Sequence, residues 1–165
     1  MNSEIRQLIQ DMFDTMYDAH GIGLAAQQIG RALQLAVVDV RDITDRPSTL
    51  FRDGQPADVD EAMPLVLINP QIQAVGEPVA GPEGCLSFPE IYADITRPES
   101  IDVRALGADG RPYSFRCGGL LAKAIQHEVD HLNGVLFKDR MTKASLETLK
   151  DELDALMAES KASLK

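Results

Sequence analysis

The sequence predicts an α+β fold, with short, mostly antiparallel or mixed strands around a central helix and an amphipathic helix at each end. Three patterns carry that prediction. Residues 3–18 and 145–157 place apolar side chains at intervals of three and four, the period of a half-buried helix. Residues 100–117 alternate about an Asp109-Gly110 turn signal, as a hairpin does. Residues 120–134, LLAKAIQHEVDHLNG, again have helical spacing and run into Gly134, a natural helix stop.

The elements follow in order. Ile5, Leu8, Ile9, Met12 and Met16 make the buried stripe of the first helix, with Ser3 as its N-cap and GIG at 21–23 ending it. LQLAVVDV (33–40) reads as a mostly buried strand. Residues 41–62 are rich in Asp, Arg, Pro and Gly without periodicity, and read as a long surface excursion. PLVLINPQIQAV (64–75) brings a second strand region, broken at Asn69-Pro70. Residues 76–98 alternate short extended pieces with bends, and the hairpin and central helix follow. In the closing helix Leu146, Leu149, Leu153 and Leu156 fall on one stripe, expected to pack on the body of the domain. Residues 1–165 are expected to form a single domain.

The composition excludes several classes. A net charge of −10 lacks the basic footprint that general nucleic-acid binding needs. Two cysteines are too few for a disulfide framework, and the opening NSEIRQLIQDMF has charges where a signal peptide has an apolar run. Apolar runs such as MPLVLI are too short to span a bilayer. The expected location is the cytoplasm.

Chemistry concentrates in the central helix. His127 and His131 lie about one turn apart on one face, close enough to share a metal ion, since a turn takes about 3.6 residues. Glu128, the next residue round the helix, can reach a metal-bound water without being a ligand, which suits a general base. Ala124 and Leu120 share the face of His127 and would floor a neighbouring pocket. The bland alternative is a helix whose histidines merely pair with acids, but His-Glu-x-x-His inside a good amphipathic helix is a specific motif.

Two imidazoles need a third ligand. A metzincin-type pattern fails, because Phe137 stands where its third histidine belongs. Glu147 and Glu152 are candidates of the thermolysin kind, although both sit on a helix with a structural purpose of its own. His20 is the other histidine. Among the soft donors, Cys85 in GPEGCLSFP is favoured because Gly84 allows close backbone approach; Cys117, ending a strand, reads as a small buried hydrophobe.

GIGLAAQQ (21–28), EGCLS (83–87) and QHEVDHLNG (126–134) resemble, in this order, the three signature motifs of bacterial peptide deformylase, and weaker similarity covers most of residues 3–160. The resemblance implies an α+β fold with strands around the metal-bearing helix. It implies that Cys85, His127 and His131 hold one divalent ion, most often Fe(2+), with Ni(2+), Co(2+) or Zn(2+) as substitutes and water as fourth ligand. It implies removal of the formyl group from the N-terminal formyl-methionine of new polypeptides, with release of formate.

By the same resemblance Glu128 is the base, the side-chain amide of Gln28 and the backbone N–H of Leu86 are oxyanion donors, and Ile22, Gly23, Leu120 and Ala124 receive the substrate. Glu83 reads as structural, pairing with an arginine such as Arg97, and Gln126 as an outer support for a ligand. The family's extended segment before the first helix is expected to be absent. N-formylmethionyl peptides are the expected partners, the ribosome is a candidate docking site through the last helix, and no membrane is involved. The competing expectation is a metal-dependent endopeptidase built on the same helix, which would cut unformylated peptides internally.

Overall fold

In the computed structural model, which describes residues 1–41 and 43–163, the chain divides into two units. The first comprises Met1–Val79 and Arg97–Val135, the second Ala80–Thr96 and Leu136–Lys165.

The first unit opens with α1 (Ser3–Asp18), whose buried stripe is Leu8, Ile9, Met12, Phe13 and Met16. Its N-cap is Asn2 rather than Ser3: the Asn2 side chain accepts a hydrogen bond from the Ile5 N–H at 2.9 Å. The helix also stops earlier than the 21–23 glycines suggest. His20 takes the left-handed turn (φ 55°), and the Gly21 N–H then reaches the Met16 carbonyl. An aromatic tie holds the helix end, because the Tyr17 hydroxyl donates to Asp39 at 2.6 Å.

Seven strands form one sheet: β1 (Gly23–Ala25), β2 (Leu35–Val38), β3 (Ser48–Arg52), β4 (Gln55–Pro56), β5 (Leu65–Ala74), β8 (Ser100–Leu106) and β9 (Pro112–Gly118), numbered with β6 (Pro78–Cys85) and β7 (Phe88–Pro98) of a separate two-stranded sheet. The order is β1-β2-β5-β8-β9-β3-β4, and the pairings are antiparallel. The expected break at Asn69-Pro70 is a kink rather than an end: Asn69 is left-handed (φ 51°), the register with β8 shifts between Ile68 and Gln71, and pairing resumes.

The 41–62 excursion is not structureless. It contains β3, which pairs with β9, and a short return strand β4, joined by Asp53 (φ 51°) and Gly54 (φ 74°). Both turn residues have positive φ, as a tight hairpin turn requires. A four-residue helix, α2 (Val59–Ala62), follows, capped by Asp58.

The central helix α3 (Gly119–Leu132) lies among apolar side chains of this sheet. Leu121, Ala122 and Ile125 are fully buried in one cluster with Val38, Leu67, Ile101, Val103 and Cys117. Alternation along β8 supplies Ile101, Val103 and Ala105 to that cluster and keeps Arg104 exposed. Beyond Asn133 the chain turns at Gly134 (φ 74°), the helix stop read from the sequence.

In the second unit, β6 and β7 are joined by Leu86 and Ser87. A 3-10 turn (Phe137–Arg140) and two helices, α4 (Lys143–Thr148) and α5 (Lys150–Ser163), complete it. The single closing helix of the prediction is thus interrupted at Leu149. Its leucine stripe does find a partner: Leu146, Leu149, Leu153 and Leu156 pack on Ile91, Ile95, Phe137 and Met141. Phe137 is 1% exposed and tilts against Phe88, ring centroids 5.7 Å apart.

Candidate active site

The site begins with two rings on α3. His127 and His131 turn their Nε2 atoms toward each other at 3.2 Å, with ring planes 70° apart. Two nitrogens that each coordinate a tetrahedral ion at about 2.0–2.1 Å lie roughly 3.3–3.4 Å apart, so the observed spacing fits a pair of imidazoles aimed at one ion. His131 is buried, at 5% exposure.

The helix that presents them is anchored around the rings. Gln126 Nε2 donates to the Pro98 and Ala122 carbonyls, each at 3.0 Å. Asp130, beside His131, accepts from Arg97 Nη1 at 2.9 Å, and both side chains are almost fully buried. Arg97 thus braces the helix through Asp130, a role the sequence reading did not foresee; the acid at i+3 from a candidate ligand was the available signal.

Glu128 is 4% exposed and lies against β1, where Gly23 has no side chain to exclude it. Gln28 sits in the 3-10 turn Ala26–Ile29 after β1, and its Oε1 accepts from the Ala25 N–H at 2.8 Å. That bond fixes the orientation of the amide, making Nε2 the end that donates elsewhere. Leu120 and Ala124 belong to the buried apolar cluster, and Ile22 packs against it.

Cys85 ends β6, and Leu86 follows in the turn. Among the described residues, one group of potential ligands has the composition of a metal centre: one donor atom each from Cys85, His127 and His131, all within 4.8 Å of one another. A thiolate and two imidazoles are the donor set expected of a divalent transition metal with a position to spare. The other candidates fall away. Glu147 and Glu152 are exposed on α4 and α5. Cys117 is fully buried in the apolar cluster, and burial, with a smaller contribution from Asp102, pushes its thiol up to about 12, so it stays protonated.

A family whose description reads "Polypeptide deformylase" matches residues 1–147. The chain belongs to the peptide deformylase family. The peptide deformylase of Methylacidiphilum infernorum is 43% identical over 94% of this chain and 81% of its own length. That of Opitutus terrae is 45% identical over 98% of this chain and 84% of its own. Among solved structures, a Synechococcus elongatus peptide deformylase in complex with actinonin superposes with a TM-score of 0.76 at 43% identity, covering 92% of this chain and 74% of that one. A Plasmodium falciparum peptide deformylase reaches 0.82 at 27% identity, covering 99% and 88%.

Peptide deformylases are metalloenzymes that hydrolyse the N-formyl amide of nascent polypeptides, and that function takes precedence over endopeptidase action for this chain. Among the described residues no helix is long and apolar enough to cross a membrane.

Proposed function

We propose that residues 1–165 act as one catalytic domain in which Cys85, His127 and His131 hold a single divalent ion, ferrous iron by preference, and Glu128 acts as the base that removes formyl from formyl-methionyl peptides. The convergence of one sulfur and two ring nitrogens beside a buried glutamate carries this reading. Nickel, cobalt and zinc accept the same donors, and the thiolate makes the iron form prone to oxidation. When bound, the ion lowers the pKa of water to about 7 and so supplies hydroxide at neutral pH.

The chain's own groups do the rest. Glu128 takes the proton of the attacking water and returns it to the departing amine, work typical of a positioned carboxylate. As the formyl oxygen gains charge it needs donors. Gln28 offers Nε2, because its Oε1 is held by the Ala25 N–H, and the Leu86 N–H offers a second. One such donor is worth about 10²–10³ in rate.

The methionine side chain enters between Ile22, Leu120 and Ala124, which belong to the buried apolar cluster or pack against it. The backbone at Ile22 and Gly23 pairs with the extended peptide as an added strand. The substrate is carried by newly made chains, so the protein works in the cytoplasm beside the ribosome.

The experiment is formate release from a formyl-methionyl peptide by anaerobically prepared, metal-loaded protein. Glu128→Gln is expected to abolish release while metal content stays at one ion per chain. Turnover that survives in Glu128→Gln would refute the role of the base.

A further inference from the structure

Gly23 is glycine for reasons of space rather than backbone freedom. Its φ is not among the positive values, so any L-residue could adopt its conformation. What excludes a side chain is Glu128. A Cβ on Gly23 would lie 2.9 Å from the Glu128 carboxyl carbon and 3.0 Å from Cγ, and closer still to Oε1.

Of the two, the Glu128 carboxylate, at the end of its side chain, is the part that must shift. Glu128 is 4% exposed on a helix buried along most of its length. Gly23 is held in register opposite Val38, and the neighbouring Ile22 carbonyl accepts from the Asp39 N–H at 2.9 Å. Other glycines differ in kind. At Gly119 the obstruction is the Pro47 backbone, and at Gly118 it is the hydroxyls of Thr49 and Ser100. At Gly23 the space is taken by the proposed base.

We infer that Gly23 is the positioning residue for the general base: its bare Cα is the surface against which the Glu128 carboxylate is seated, and any side chain there drives the carboxylate off its station. This rests on the proposed role of Glu128 and adds a second condition to it. A base must lie within hydrogen-bond reach of the proton it removes, so a displacement of about 1 Å is enough to lower the rate by two orders of magnitude.

The test is Gly23→Ala in the metal-loaded protein. The expected result is a fall in kcat of about 10²-fold or more, with KM changed far less and metal content unaltered. Glu128→Asp is one methylene shorter and removes the closest of these contacts, that with Oε1, so adding Gly23→Ala to Glu128→Asp is expected to cost less than adding it to the native chain. Stability is read in parallel on metal-free protein, where Gly23→Ala lowers the melting temperature and the further change Glu128→Ala restores it.

Should Gly23→Ala fail to fold, recovery of folding in the Gly23→Ala/Glu128→Ala chain carries the same information. A kcat within threefold of the native value, equal losses in both backgrounds, or no recovery of stability on removing the Glu128 side chain would overturn the inference. Survival of turnover in Glu128→Gln would instead remove the reading beneath it, and the two failures are distinct.

Discussion

Removing Arg97 is the sharpest test of what holds the histidine helix in place. Its guanidinium meets Asp130 at 2.9 Å, and the two side chains are 4% and 11% exposed, so water cannot take over either charge. Arg97→Met takes this cation from a buried carboxylate directly beside His131. Breaking such a pair from one side costs about 3–5 kcal/mol, far more than an exposed pair would. For a chain of this size each kcal/mol moves the melting temperature by about 2–4 °C, so a drop of roughly 6–20 °C is expected.

The companion variant Arg97→Met/Asp130→Leu removes both charges of this pair and is expected to cost less than Arg97→Met alone. Urea unfolding followed by circular dichroism, on metal-free protein at neutral pH, gives both values. A loss under about 1 kcal/mol for the single change, or a double variant less stable than the single, would refute the claim that this pair braces α3.

Two further outcomes are expected. In metal-free native protein iodoacetamide should label Cys85 and leave Cys117 untouched, since Cys117 is fully buried with its thiol raised to about 12; added metal should then protect Cys85, and peptide mapping reads both sites. On the sheet, Arg116 donates to both Asp102 oxygens at 2.8 and 2.9 Å and holds that carboxyl below its ordinary 3.8. A lowered carboxyl stabilises the fold above the unfolded value and loses that contribution as pH falls through the folded one. Unfolding midpoints across that acid range should therefore fall more steeply in native protein than in Arg116→Gln.

The sequence disclosed the parts of the fold whose signals are local. The 3.6-residue period of α1, the His-Glu-x-x-His spacing of α3 and the Asp109-Gly110 turn each predict their elements without tertiary help. Asp53-Gly54 carries the same turn signal as Asp109-Gly110, but it lies in a polar stretch whose strands are short and lack clear alternation. The hairpin of β3 and β4 therefore read as surface loop. Pairing of β3 with β9 is a long-range fact that no local pattern states.

At the site, the helix spacing puts both imidazoles on one face, and the cysteine next to Gly84 is the favoured soft donor. What the sequence could not disclose is contact chemistry. The orientation of the Gln28 amide depends on the Ala25 N–H, the bracing of α3 depends on Arg97 meeting Asp130, and the space above Gly23 depends on where Glu128 lies. Each joins residues on different turns or elements, and none leaves a periodic trace.

Cobalt reads directly whether one sulfur and two ring nitrogens share one ion. Protein loaded anaerobically with Co(2+) is expected to bind one ion per chain and to show a near-ultraviolet sulfur-to-metal charge-transfer band that disappears in Cys85→Ser but persists in Cys117→Ser. A band unchanged by Cys85→Ser, or an ion bound with no thiolate absorption in the native chain, would contradict that arrangement.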